Sequence, residues 1–131
     1  MKKKYYAKII ANDYEGLQMI SACCTNSIVK VSELKYLSSS KIFLFPIVRK
    51  KVEIGQDDKK VNSICKFDLI EKVKSKNINQ NNEKQVLKLL AIDYIKNKDD
   101  FEINLIFDNN SFIALTAEAI EVRLEDQNEI K

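Results

Sequence analysis

There is no histidine in this chain, and that absence removes much of enzyme chemistry. Imidazole triads, imidazole metal ligands and the side chain best suited to proton transfer near neutral pH all go with it. Cysteine is scarce too: Cys23, Cys24 and Cys65 are odd in number, and two are adjacent. They make neither a disulfide framework nor the spaced pairs of a zinc or redox motif. A cysteine nucleophile usually needs an imidazole or cationic activator. Cys24 falls on the apolar face of an expected helix and Cys65 on that of an expected strand, so both read as reduced core thiols. Glycine is limited to Gly16 and Gly55, which excludes glycine-rich phosphate loops. With a single proline besides, the turns fall to Asn, Asp and Ser. No cofactor and no metal are expected.

What is present is a globular composition. Hydrophobic residues make up 45% and charged residues 31% of 131, proportions that fit one soluble domain over residues 1–131 with a single core. The start, MKKKYYAKIIAND, imitates a basic signal-peptide opening, but Lys8 interrupts the apolar stretch and Asn12-Asp13 end it. The longest charge-free stretch, Leu17–Val29, is too short and polar to span a membrane. A cytoplasmic protein with no membrane partner is the expectation.

The net charge of +3 is unevenly spread: residues 1–76 carry a balance of +8 and residues 77–131 one of −5. Such asymmetry can mark nucleic-acid binding. Codon bias competes as an explanation, because Lys, Ile and Asn, all with A/T-rich codons, supply 49 of the 131 residues.

Along the chain, Lys3–Ala11 reads as a strand. Asn12 and Asp13 offer N-cap oxygens, and Asn12 with Glu15 has capping-box spacing. Leu17, Ile20, Cys24 and Ile28 then recur at helical spacing and predict a helix over about 13–25. Val29–Leu37 reads as an imperfect strand, Ser38–Ser40 as a turn, and Lys41–Lys50 as the second arm of a hairpin. In that arm Ile42–Val48 has no polar side chain on either face, so something must cover both. Pro46 argues against a fully hydrogen-bonded central position there.

Ile54–Lys60 reads as a polar loop and Val61–Lys76 as a long strand with a bulge near Ile70-Glu71. Asn77–Glu83 is a loop by composition. Lys84–Lys96 fits helix and strand alike; its neighbours favour strand. Phe101–Phe107 and Phe112–Leu124 form a hairpin about the turn Asp108–Ser111, with a break at Thr116–Ala119. Residues 126–131 read as a polar, frayed tail. The sum is an α+β fold, mostly antiparallel β, with one N-terminal helix packed on a curled six- to seven-stranded sheet or half-open barrel.

Two segments, FDLIEKVKSKNIN (Phe67–Asn79) and VLKLLAI (Val86–Ile92), together resemble an alphaproteobacterial domain-of-unknown-function family, number 2948 of that series. Leu17–Leu37 resembles its helix-then-strand opening and Phe101–Asp126 its final hairpin, with Ile120, Glu121, Leu124 and Asp126 at the family's typical end. The resemblance covers nearly the whole chain and implies no activity, cofactor or catalytic residue. The chain departs from the pattern at Lys74 and Lys76, where arginines are usual, at Asn77, where glycine is, and at Lys50–Val52, which replaces an aromatic-containing Phe-x-Trp.

Three functional readings are carried forward. The leading one is a non-catalytic binding or protein-interaction module, with a good core and no reactive constellation. Phe43, Phe45 and Ile47 are its candidate interface, to a protein partner or to a second copy in a homodimer. The second is an RNA- or ribosome-associated protein. Lys72, Lys74 and Lys76 share one strand face and Arg49, Lys50 and Lys51 end a neighbouring strand, with Lys2–Lys4 and Lys59-Lys60 as further candidates. The third is a carboxylate-dependent enzyme drawing on Asp68, Glu71, Asp93, Glu118, Glu121 or Glu125.

Overall fold

The computed structural model describes residues 6–79, 81–82 and 84–130. The expected helix is there as α1 (Tyr14–Cys24), and it starts at Asp13, whose carboxylate accepts the Gly16 N–H at 2.8 Å. Asp13 is therefore the cap, and the Asn12–Glu15 box is not what closes the turn. Leu17, Ile20, Cys23 and Cys24 form its buried stripe.

Ten strands surround that stripe in one antiparallel sheet, more than the expected six or seven. They are β1 (Lys8–Ala11), β2 (Ile28–Lys30), β3 (Lys35–Leu37), β4 (Ile42–Lys51), β5 (Gln56–Phe67), β6 (Ile70–Lys76), β7 (Val86–Lys96), β8 (Phe101–Phe107), β9 (Phe112–Ala117) and β10 (Val122–Ile130). Their lateral order is β1-β10-β5-β4-β2-β7-β8-β9-β6, with β3 also paired to β4. The hairpins β3–β4 and β8–β9 and the strand at Val86–Lys96 follow the sequence reading.

Four differences have physical causes. Val29–Leu37 is interrupted by a 3-10 turn at Val31–Glu33, whose Val31 N–H reaches the Gln85 carbonyl. The polar stretch after Ile54 joins β5 from Gln56, which pairs with Lys51 of β4, and at Lys60 it enters between β4 and β10 despite its composition. Val61–Lys76 is two strands, because Leu69 turns left-handed (φ 61°) and sends β6 to pair with β9. The expected bulge survives as a register shift between Ile70 and Lys72. The supposed frayed tail is β10 as far as Ile130, paired to β5 through Lys60. Lys3 to Tyr5 of the expected first strand lie outside the described residues.

The scarcity of glycine shows in the turns. Asn26, Asn77, Asn109 and Asn110 all take positive φ, and two successive left-handed residues at 109 and 110 make the tight β8–β9 turn that suits strand twist. Pro46 sits between the stretches of β4 that pair with β3 (42–44) and with β2 (48), where that edge of β4 has no ladder partner.

Alternation then fills the interior. Phe43, Phe45 and Ile47 on β4, Cys65 and Phe67 on β5, Ile103, Leu105 and Phe107 on β8, and Ile113 and Leu115 on β9 share one buried cluster with the helix. Phe45 joins the halves of the sheet, its ring 5.9 Å from that of Phe107 and 6.4 Å from that of Phe43. The curl brings the start of β6 to the β3–β4 hairpin: Ile70 N–H donates to the Lys41 carbonyl and Tyr36 Oη to the Ile70 carbonyl.

Gly16 lets α1 approach β1. A Cβ there would stand 2.9 Å from Ala11 Cβ and 3.0 Å from Ala11 Cα. Alanine improves helix propensity by about 1 kcal/mol, but overpacking against backbone costs roughly 1–3 kcal/mol. Gly16→Ala is expected to lower the urea-unfolding free energy by about 1 kcal/mol or more; a gain in stability would show that the contact is not tight.

Candidate functional site

Among the described residues the sulfur and carboxylate groups are dispersed. Burial pushes the thiols of Cys23, Cys24 and Cys65 above their ordinary value, which leaves them protonated and enclosed. Among the described residues no group of three or more Cys, Asp and Glu could hold a metal ion. Glu118 meets Lys41 at 2.7 Å, and that hydrogen bond, with the charge of the lysine, holds its carboxyl low on an open surface. Asp68 lies 3.8 Å from Lys66, and Glu125 lies 3.5 Å from Lys8. Asp93 accepts the N–H of Tyr94, and Glu121 is exposed. Of the five depressions described, two are lined by Asp93 and none by a second of these acids.

The basic candidates divide. Arg49 and Lys51 continue the inner row of β4 and are buried. Arg49 Nε and Nη2 each donate at 2.9 Å to Asp126, while Nη1 and Nη2 donate to Glu53 at 2.8 and 2.7 Å and Nη1 to the Lys50 carbonyl at 3.2 Å. All five N–H groups of the guanidinium have partners. Lys51 Nζ lies 2.6 Å from Glu129 and 4.9 Å from the Tyr6 ring centre. Neither charge is displayed to a polyanion.

Asp126 answers in kind. Its side chain is fully buried, and it accepts Arg49, Ser63 Oγ at 2.6 Å and Ala7 N–H at 2.7 Å. Burial alone raises this carboxyl, but the hydrogen bonds from Arg49, Ser63 and Ala7 outweigh it and hold the group below its ordinary value.

Lys50, Lys72, Lys74 and Lys76 are exposed. The last three form the expected stripe on the edge strand β6, while Lys50 lies on the other half of the sheet. There the register sets Lys50 directly opposite Lys60, a repulsive pair. Lys88 joins them around a depression of about 380 Å³ floored by Ile28 and Val48. None of these three lysines makes an ion pair with a described residue. Lys2–Lys4 lie outside the described residues.

Phe43, Phe45 and Ile47 are core residues, 3, 0 and 3% exposed. They are therefore no outward interface, because α1 and the second half of the sheet cover the face they occupy. Ile42, Leu44, Pro46 and Val48 take the other face and are half-buried.

A group of exposed apolar side chains lies elsewhere, on the outer side of β7, β8 and β9. Leu90, Ile95, Ile106 and Phe112 are 43, 54, 40 and 36% exposed. All four line a shallow depression of about 780 Å³, together with Lys76 and Asp93. Inner positions of the same strands (Leu105, Leu115, Ile103) hold the core, so alternation forces Ile106, Phe112 and Ile95 outward. The sequence signal was faint but present: Ile106 interrupts the polar set Glu102, Asn104, Asp108.

Residues 7–131 match the family described as Protein of unknown function (DUF2948), and the chain belongs to that family. No curated protein matches the chain, and no solved structure does. No helix among the described residues is long and apolar enough to cross a membrane.

The Arg49–Asp126 pair yields a test. Asp126→Asn leaves Arg49 with Glu53 as its carboxylate partner but weakens the hydrogen bonds gathered at position 126, so it is expected to lower the unfolding free energy at pH 7 by about 1–3 kcal/mol. A carboxyl held low in the fold stabilises above its unfolded value and stops doing so as pH falls through the folded one. Wild-type stability therefore falls below pH 3.8 more steeply than that of Asp126→Asn in urea titrations across pH. Parallel curves would show that Asp126 is not linked to folding.

Proposed function

We propose that this member of the DUF2948 family is a non-catalytic protein-interaction module whose contact surface is the outer face of β7, β8 and β9. The observation that carries this reading is the contiguous exposed patch of Leu90, Ile95, Ile106 and Phe112. A soluble domain that displays several large apolar side chains together, rimmed by charge, does so for a partner more often than by accident. Buried, protonated thiols and dispersed carboxylates argue in the same direction, against an enzyme.

A photo-crosslinking side chain at position 106 or 112 is expected to give adducts of discrete mass, identifiable by mass spectrometry, in the native cells. The same group at position 10, a more exposed isoleucine on β1, serves as control. No adduct from 106 and 112, or equal labelling from position 10, would reject the reading.

The rival reading, a polyanion-binding protein, draws on the Lys50–Lys60–Lys88 cluster and the β6 stripe instead of Arg49 and Lys51. It requires RNA affinity that falls steeply with salt, the slope counting the phosphates engaged. Filter binding that is absent at 50 mM salt, or unaffected by salt, rejects it.

A further inference from the structure

We propose that the partner on this face is a second copy of the same chain, packed sheet to sheet. The inference rests on the outer face of β7–β9 being a contact surface, and adds who occupies it and in what orientation. It follows from the register across four strands. One row reads Lys74, Ala114, Asn104, Asp93 from β6 to β7, with base at one end and acid at the other. The next row reads Lys76, Phe112, Ile106, Ala91, with the apolar pair at its centre.

Two such faces related by a two-fold axis must have that axis in the plane between them. An axis running along the strands, between β8 and β9, lays β6 of one copy over β7 of the other and β9 over β8. Lys74 then meets the partner's Asp93, and Phe112 meets the partner's Ile106; symmetry repeats both contacts. In the third row Lys72 lies over Ile95 and Thr116 over Glu102, so no like charges face each other. The alternative axis, across the strands, stacks Lys74 on Lys74 and Asp93 on Asp93 and is repulsive. Of these two orientations, the face is complementary to itself in the first. Two sheets in that orientation lie about 10 Å apart with strands within about 30° of each other, as in ordinary aligned sheet packing.

Neither Lys74 nor Asp93 makes an ion pair with a described residue, so both are available. The contact also explains the apolar exposure: Phe112 and Ile106, the most central of the exposed side chains, would be covered from both sides of the axis.

Sedimentation equilibrium of the full chain at micromolar concentration is expected to give twice the 15.2 kDa chain mass. Ile106→Asp, Lys74→Asp and Asp93→Lys should each weaken dimerisation at least about tenfold. The double exchange Lys74→Asp with Asp93→Lys should restore it, a result that loss of folding cannot mimic. Ile10→Asp, on the far edge of the sheet, should leave the dimer intact. A wild-type chain that is monomeric to 100 micromolar overturns the inference, as does a dimer indifferent to Ile106→Asp or a double exchange no better than its parents. If the wild type is monomeric while position 106 crosslinks to a different identified protein, the interaction reading stands and the second copy is rejected. If position 106 crosslinks to nothing, both fail.

Discussion

The fold hinges on a buried charge, the guanidinium of Arg49 clasped by Asp126 and Glu53. Three strands and a chain end meet at this point. Arg49 belongs to β4, Ser63 to β5, Asp126 to β10, and the Ala7 N–H precedes β1. Apolar contacts would have pulled these segments together without fixing how far each slides past the next. Two forked carboxylate contacts to a planar cation do fix it, because a shift of one residue would leave charges buried and unpaired. The price in desolvation is met by complete hydrogen bonding, which only arginine among the cations offers in this planar form. Around the pair, Lys51 and Glu129 repeat the arrangement one turn of the register further along. This end of the sheet is thus sealed by ionic pairs and the opposite end by Phe43, Phe45 and Phe67.

With the inner face divided in this way, the curl of the sheet leaves two unlike outer faces. One, over β5, β4 and β2, mixes Lys50, Lys60 and Lys88 with half-buried Val48 and exposed Ile28. The other, over β6 to β9, sets Phe112 and Ile106 on its two central strands and Lys74 and Asp93 on the strands that flank them. Charge spread among apolar residues suits a solvated surface or an anion. Charge at the rim with an apolar centre suits a protein. The distinction favours the second face as the place where something docks, and it comes from register, which no composition count contains.

Much of the architecture was legible in the sequence. The spacing of Leu17, Ile20 and Cys24 marks the buried stripe of α1, the alternation of Phe101 to Phe107 marks β8, and Asp108–Ser111 marks its turn. These signals are local, and local signals survive tertiary context. The failures are of one kind. Asp126 looks like part of a polar tail because a lone charge far from its partner in sequence carries no sign of burial; Arg49 lies 77 residues away. Lys60 looks like loop for the same reason, yet Ile130 of β10 and Lys50 of β4 pair with it on either side. Leu69 breaks the chain at a left-handed residue that leucine does not advertise. The candidate sites fared accordingly. The β6 lysines sit where alternation puts them, Arg49 and Lys51 turn inward, and Phe43, Phe45 and Ile47 belong to the core.

Ile42–Val48 and Ile106 make the same point from opposite directions. The first is seven apolar residues in a row, and it is quiet: Phe43, Phe45 and Ile47 vanish into the interior while the other face is half-covered. The second is one isoleucine among polar neighbours, and it is exposed in an open depression beside Leu90, Ile95 and Phe112. An apolar run reports how much of a strand is buried, and burial is satisfied within the chain. An apolar residue on the wrong beat of an alternating strand has no internal use, because its neighbours on the right beat already fill the core. Such a residue stabilises nothing in the monomer and carries a solvation cost. The argument for an interaction surface therefore rests on the exception to the pattern at Ile106 and Phe112, and the hydrophobic run that dominates the sequence belongs to the core.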